Sequence, residues 1–310
     1  MSLRKFYHAG LLCLFVIGGH RGYAQSDSDS PDSTAVSTDD GKGLHLGIYV
    51  GTYMANKYSA SMYDGYGLDI NGLRNTFGNS FMYNQIVNYY GGGLGGVDQI
   101  ALALNVNHNE WSFTESDMPI NMHYNITYLV GLNMRYNLSK QEALVVNING
   151  TKLTVNGNFS ISTVTTNNGI QGVPQVHQFV VTGGEQRLMF QLGYQRILGT
   201  NDKLNFFAEG GLNITMVKYL KNQAFITSTT NPVQIDLMSP YNQDTYNYVR
   251  SKYFVGVGPG IFAGLGLNLT LSPKYTVQAL YMPSYDRIKM GLYPSFKLQH
   301  SFGLRFYYNL

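Results

Sequence analysis

Glu209, Arg305 and Arg135 carry charge at positions whose sequence neighbours demand an explanation. Leu204, Phe206, Ala208, Leu212, Ile214 and Met216 occupy every second position, with Asn205, Glu209, Asn213 and Thr215 between them. Period-two alternation marks a strand with one apolar and one polar face, so Glu209 projects from the polar face. Arg305 and Arg135 occupy the polar faces of two similar segments, Phe302–Leu310 and Tyr124–Leu138. Charges of opposite sign on converging polar faces predict an internal ion pair, Glu209 with Arg305, and Arg135 nearby. Glu209 lies five residues beyond a turn and Arg305 five from the last residue, which sets them at one height. The alternative is that each charge is hydrated separately. An enclosed interior makes an unpaired charge costly.

Catalytic chemistry finds little to work with. The histidines beyond residue 24 are His45, His108, His123, His177 and His300, and none forms an H-x-H or H-x₃-H pair suited to a metal. No histidine is placed by spacing beside a serine or acid as a base would be. A rim or interior hydrogen bond is expected for each, no catalytic, cofactor or metal site is assigned, and the chain is read as no enzyme. His300 stands apart because it falls on the apolar face of the last strand. It is either an interfacial residue that snorkels or a contact with another membrane protein.

The strands that hold these residues are legible along the chain. Leu44, Leu46, Ile48, Val50 and Met54 alternate with His45, Gly47, Tyr49, Gly51 and Tyr53. Tyr124, Ile126, Tyr128, Val130, Leu132, Met134, Tyr136 and Leu138 share one face. Leu144, Val146 and Ile148 follow the polar turn 139–142. The apolar phase then slips by one at Leu153, Val155, Phe159 and Ile161, which predicts a bulge near Gly150. Leu188–Leu198, Leu204–Met216, Ile261–Leu271, Tyr275–Tyr281 and the terminal segment complete a set of eight. Gly131, Gly193, Gly211, Gly264 and Gly266 point to the polar side and leave room for larger neighbours there.

Composition agrees with a sheet whose apolar side meets hydrocarbon. Charged residues make up 13% of the chain, against roughly 25% in soluble domains. Tyr (25) and Gly (35) are abundant. No run of 18 apolar residues exists beyond residue 24, so crossing by helices is not expected. Residues 1–24 read as a signal peptide: Arg4 and Lys5, the apolar Ala9–Ile17, then Gly22-Tyr23-Ala24 before Gln25. Its removal takes away Cys13, the single cysteine, and leaves 18 basic against 18 acidic residues, a balance that offers nucleic acid nothing. Residues 25–43, with five Asp, read as a disordered linker, and 44–310 as the folded part.

Connection lengths supply an independent test. Short links at 139–142, 199–203 and 272–274 alternate with long ones at 55–121, about 162–185, about 217–252 and about 283–294. Outer-membrane barrels have short periplasmic turns and long external loops, so this parity predicts eight antiparallel strands with both termini periplasmic. A ten-strand alternative stays open, because Ile100, Leu102, Leu104 and Val106 alternate before Trp111 and Phe113 and would make a further hairpin. Phe77–Tyr90 reads as a short helix or cap.

The last residues carry a resemblance. Ser301, Gly303, Phe306 and Tyr308 resemble the C-terminal β-signal of Gram-negative outer-membrane proteins, from which the final Leu310 departs mildly. The Ala-Gln cleavage site and Tyr/Asn-rich loops look like those of Bacteroidota members. The resemblance implies a transmembrane up-and-down β-barrel, outer-membrane lipid around it, and insertion by the barrel-assembly machinery. The function expected is non-enzymatic: binding or assembly through the external loops, with a membrane or surface protein as partner. The alternative is a porin-like channel or transporter, favoured if the hairpin at 98–115 crosses and the first loop folds inward as a plug.

Overall fold

Alternating segments joined by tight polar turns bond to their sequence neighbours first, because those pairings close the shortest loops. The computed structural model describes residues 42–310 except 70, 72, 165, 168–169, 202, 229–230, 238–254 and 289–294. The sequence expectations for residues 1–24 and most of 25–43 lie outside that range. Among the described residues, eight antiparallel strands form a closed ring. They are β1 Gly43–Met54, β2 Thr127–Asn137, β3 Glu142–Thr163, β4 Gln175–Leu198, β5 Leu204–Ile226, β6 Val255–Ser272, β7 Tyr275–Tyr281 and β8 Phe296–Asn309. The wall of β7 continues through Ser284–Arg287. Each strand pairs with the next, and β8 closes on β1 from His45↔Asn309 to Met54↔His300. This is a transmembrane up-and-down β-barrel, closed so that no backbone edge meets lipid.

Following paired residues once round the ring gives its stagger. Arg187 pairs with Thr151, then come Leu129, Gly51, Gly303, Leu280, Gly266, Phe207 and finally Ile197. The circuit returns to β4 ten residues away, 197 against 187. Eight strands tilted by such a stagger leave an interior that side chains just fill. The outer wall carries exposed Leu46, Ile48, Val130, Leu132, Leu192, Leu212, Leu265, Phe302, Leu304 and Phe306.

Three strands far exceed the 9–11 residues a crossing needs. β3 has 22 residues, β4 24 and β5 23. They leave the membrane at the end where the long connections lie, and their faces then exchange character. On β3 the outward residues Leu144 and Ile148 give way to Lys152, Thr154, Asn156 and Asn158, while the buried inward ones change from Asn147 and Asn149 to Leu153, Val155, Phe159 and Ile161. The slip expected as a bulge near Gly150 is therefore something else. β3 and β4 pair in unbroken register from Glu142↔Arg196 to Thr163↔Gln175. The side chains keep their sides; the solvent outside changes from hydrocarbon to water, so the apolar residues move to the inner face. The strand extensions also replace much of the loops expected at 162–185 and 217–252.

The connection between β1 and β2 covers this inner apolar face. Tyr63, Met82, Ile86, Ile100, Phe113, Met118 and Met122 pack with Val155, Phe159, Ile161, Phe179, Val181, Ala224 and Ile226. Each fully buried large side chain contributes about 1.5–3 kcal/mol, enough to hold the connection in one arrangement. It contains a 3₁₀ turn at Lys57–Tyr63, a helical stretch Phe81–Tyr83 continuing as Asn84–Tyr90, and a helix Gln99–Leu104. The extra hairpin of the ten-strand alternative does not form. Asp98 accepts from the Ala101 amide at 2.8 Å, caps the helix, and turns Ile100 and Ala103 inward at helical spacing while Leu102 faces out. Trp111–Ser112 and His123–Tyr124 pair with β3, and Val233–Asp236 pairs with β5.

Candidate functional site

The barrel interior holds two polar networks, one above the other. In the lower one Arg305 of β8 donates to Glu209 of β5 through both terminal nitrogens, Nη1 to Oε2 and Nη2 to Oε1, each at 2.7 Å. Both side chains are fully buried. Gln195 adds a donor to Glu209 Oε2 at 3.0 Å, and Gln278 links Gln195 to Asn268. Arg135 lies 4.8 Å from the Tyr307 ring centre and donates to Asn268 at 3.3 Å, so among the described residues it joins the network without an ion pair of its own. Space for Glu209 comes from Gly264, where a Cβ would lie 2.6 Å from the Glu209 Cγ.

The upper network was not legible as a site, because Glu185 and Arg187 fall where the spacing suggested a loop. β4 already runs from Gln175, and both residues share its inward face with Met189 and Gln191. Arg187 Nε donates to Glu185 Oε1 at 2.6 Å, with both side chains fully buried. Arg187 also reaches Tyr53 Oη and, from the first loop, Ser59 Oγ. Tyr63 and Tyr124 hydroxyls donate to Glu185 Oε2 at 2.8 and 3.1 Å. Tyr124 had been placed on the apolar face. The strand is interrupted between His123–Tyr124 and β2, and the pairing with β3 steps by one residue there, from Tyr124↔Val155 to Leu129↔Thr151, which turns Tyr124 inward. Nearby, Asp286 accepts from Asn213 at 2.7 Å and Ser284 at 2.6 Å. The E-x-R spacing at 185 and 187 was the available sequence signal.

The first loop thus folds inward over the upper mouth, and its residues 98–115 add Ile100 and Phe113 to the core there instead of forming a further pair of strands. Its outer side forms a cleft of about 600 Å³ lined by Lys57, Asp64, Arg74, Ile120, Met122 and His123, among others. Asp64 and Arg74 pair across 2.6 Å there, and Arg74 lies 3.6 Å over the Tyr66 ring. Burial pushes the Asp64 carboxyl above its ordinary range, and the Tyr66 amide and Arg74 offset that only in part.

The other predicted residues have definite partners. His300 contacts Tyr281 Oη at 2.7 Å, with its ring parallel to that of Tyr281, so a neighbouring strand already satisfies it. Ser301 donates to the Met282 carbonyl, Gly303 makes way for the Tyr49 ring, and Phe306 and Tyr308 face outward. The Leu310 amide donates to the Leu44 carbonyl at 3.0 Å and seals the ring to the final residue. His45 meets Asn309 at the rim, and His108 meets Asp98 at 2.5 Å. His177, expected in a loop, lies in β4 beside Thr163. Among the described residues no group of three or more His, Asp or Glu side chains is placed to hold a metal.

No protein-family model matches the chain, and no curated protein sequence does. Solved structures with a similar fold include Neisserial surface protein A, at 6% identity and a TM-score of 0.40, covering 86% of this chain and 97% of that one. Ail, the attachment invasion locus protein of Yersinia pestis, solved with the heparin analogue sucrose octasulfate, has 10% identity and a TM-score of 0.34, covering 87% and 99%. The outer membrane protein OprG of Pseudomonas aeruginosa has 9% identity and a TM-score of 0.34, covering 86% and 94%. Likenesses of this size transfer no ligand and no role to the chain.

Proposed function

We propose that this is a non-enzymatic integral outer-membrane protein with both termini in the periplasm. Its barrel serves as an anchor for a folded outer platform that binds a surface or protein partner. One observation carries the reading: the space a channel would need is occupied. Two fully buried Arg–carboxylate pairs span the interior, and the Lys57–Tyr63 turn seats Ser59 and Tyr63 on the upper one. Opening such a lumen would require separating these paired charges and displacing the side chains that fill it. The platform has its own hydrophobic core, so it presents a defined surface instead of a mobile loop. Its Asp64–Arg74 cleft is the concave part of that surface.

Two measurements test the reading. In planar bilayers the purified protein should give no stable stepwise openings, and sustained ones would refute it in favour of the channel. Protease added outside intact cells should cut within residues 55–126 or the extensions of β3–β5, and should spare the turns at 138–141 and 199–203. The opposite pattern would refute the orientation.

A further inference from the structure

The wall of the barrel carries a β-bulge between β4 and β5, and the bulge does something specific. Along β4 and β5 the register steps from Gly184↔Lys221 to Glu185↔Tyr219, leaving Leu220 as the extra residue. Before the bulge Val217 is buried and Lys218 faces out; after it Asn222 and Ala224 are buried and Lys221 faces out. Two lysines three apart on a strand normally face opposite ways. Here the inserted residue turns both to the outer surface, where bulges often re-aim a side chain. Gly184 stands beside the second: a Cβ there would meet the Lys221 Cγ at 3.4 Å, an ordinary contact.

A third lysine joins them. Lys152 of β3 pairs with Gln186 of β4, which pairs with Lys218 of β5, so the row across the outer wall reads Lys-Gln-Lys. Its two ends are about 10 Å apart, two strand spacings. One row toward the short turns stand Gly150, Leu188 and Met216, and one row further Ile148, Phe190 and Ile214. One row toward the loop end stand Thr154, Gly184 and Lys221. The lysines therefore lie at the boundary where the outward face changes from apolar to polar. Glu185 and Arg187, which flank Gln186, face inward and neutralise each other. The outward acid nearest in register, Asp236, stands on the short strand beside Gln223.

We infer that Lys152, Lys218 and Lys221, with Gln186 between them, form a binding site for the headgroup phosphate of an anionic lipid of the outer leaflet. The acyl chains would lie along the Leu188, Met216, Phe190 and Ile214 rows directly beneath. The inference rests on the proposed membrane orientation for its leaflet, and on charge complementarity for its ligand. Lysines on four-carbon stems reach a phosphate from adjacent strands while their apolar stems stay against the wall. Each contributes about fivefold to the retention of an anionic lipid, roughly a hundredfold together.

The protein is reconstituted in phosphatidylcholine bilayers with and without a minor fraction of phosphatidic acid of the same chains. Lipid retained after partial delipidation is then counted by native mass spectrometry. The expected result is a preference for phosphatidic acid of roughly a hundredfold that disappears in the combined Lys152→Gln, Lys218→Gln and Lys221→Gln variant. A control variant at the opposite rim, Lys140→Gln with Lys203→Gln and Lys274→Gln, should keep the preference. An unchanged preference in the first variant, an equal loss in the control, or displacement of the lipid by inorganic phosphate would each overturn the inference. Failure of the wild-type protein to insert at all would instead refute the membrane reading, and heat-shifted electrophoretic mobility of the inserted protein reports that separately.

Discussion

Replacing one member of the Glu209–Arg305 pair isolates what the filled interior contributes. Arg305→Met removes the guanidinium and leaves Glu209 with Gln195 as its remaining donor among the contacts described. Glu209→Gln removes the charge and one of the two acceptor oxygens, so the Arg305 guanidinium keeps one of its two 2.7 Å bonds and loses its counter-charge. Both side chains are fully buried, so water cannot replace what is lost. Each single change is expected to cost about 3–5 kcal/mol, the range for leaving a charge buried and unpaired. The double variant leaves no unpaired charge and should cost no more than either single, so the two effects should fall short of additivity by about 3 kcal/mol. Urea titrations of the barrel folded into phosphatidylcholine vesicles, read by the mobility of folded and unfolded bands, provide the free energies. The Arg74–Asp64 pair is the internal comparison. Arg74 is 52% exposed there, and exposed pairs couple by less than about 1 kcal/mol. Additive single effects at Glu209 and Arg305 would refute the reasoning, because charges that behave independently are not paired in the folded barrel.

Further outcomes follow from individual contacts. Gly303→Ala would set a Cβ 2.6 Å from the Tyr49 ring and from the Val50 carbonyl, which cannot retreat without breaking the β1–β8 seam. It should cost about 1–3 kcal/mol and slow insertion, whereas Gly78→Ala, with open space around it, should be silent in the same titration. Tyr63→Phe removes a 2.8 Å bond to the buried Glu185 carboxylate and should loosen the first loop by about 1.5–3 kcal/mol, measured as faster proteolysis within 55–126. The Asp64 carboxyl has its folded pKa raised above the unfolded value by burial. Its contribution to the platform is therefore complete below the ordinary carboxylate range and is lost as pH rises through the folded value. Trp111, the single tryptophan, reports the platform's thermal midpoint, which should rise on acidification until other carboxylates protonate. Asp64→Asn should flatten that rise, and an unaltered slope would remove Asp64 as its source.

Alternation and turn spacing predicted neighbour-paired strands in this order and most of the inward residues, since in an antiparallel sheet these depend on local periodicity. They left ten strands open beside eight and put Tyr124 on the wrong face. Glu209 and Arg305 were placed on the polar face, at one height, by counting from turns. Where the membrane ends was decided by tertiary structure. Leu153, Val155, Phe159 and Ile161 read as an apolar stripe out of phase, and sequence periodicity alone does not say whether the strand has slipped or the medium has changed. Only the packing of Met82, Ile86 and Phe113 against that stripe makes it an inner core. The helix at Gln99–Leu104 was hidden for a similar reason: a six-residue segment satisfies both periods, and the Asp98 cap together with burial of Ile100 selects the helical one. Glu185 and Arg187 needed the same information, because a charged E-x-R in an expected loop becomes an interior pair only once β4 extends through it and Tyr63 and Ser59 descend from a segment more than a hundred residues away. Local periodicity sets a strand's two faces, and the surroundings assembled by the rest of the chain decide what each face must hold.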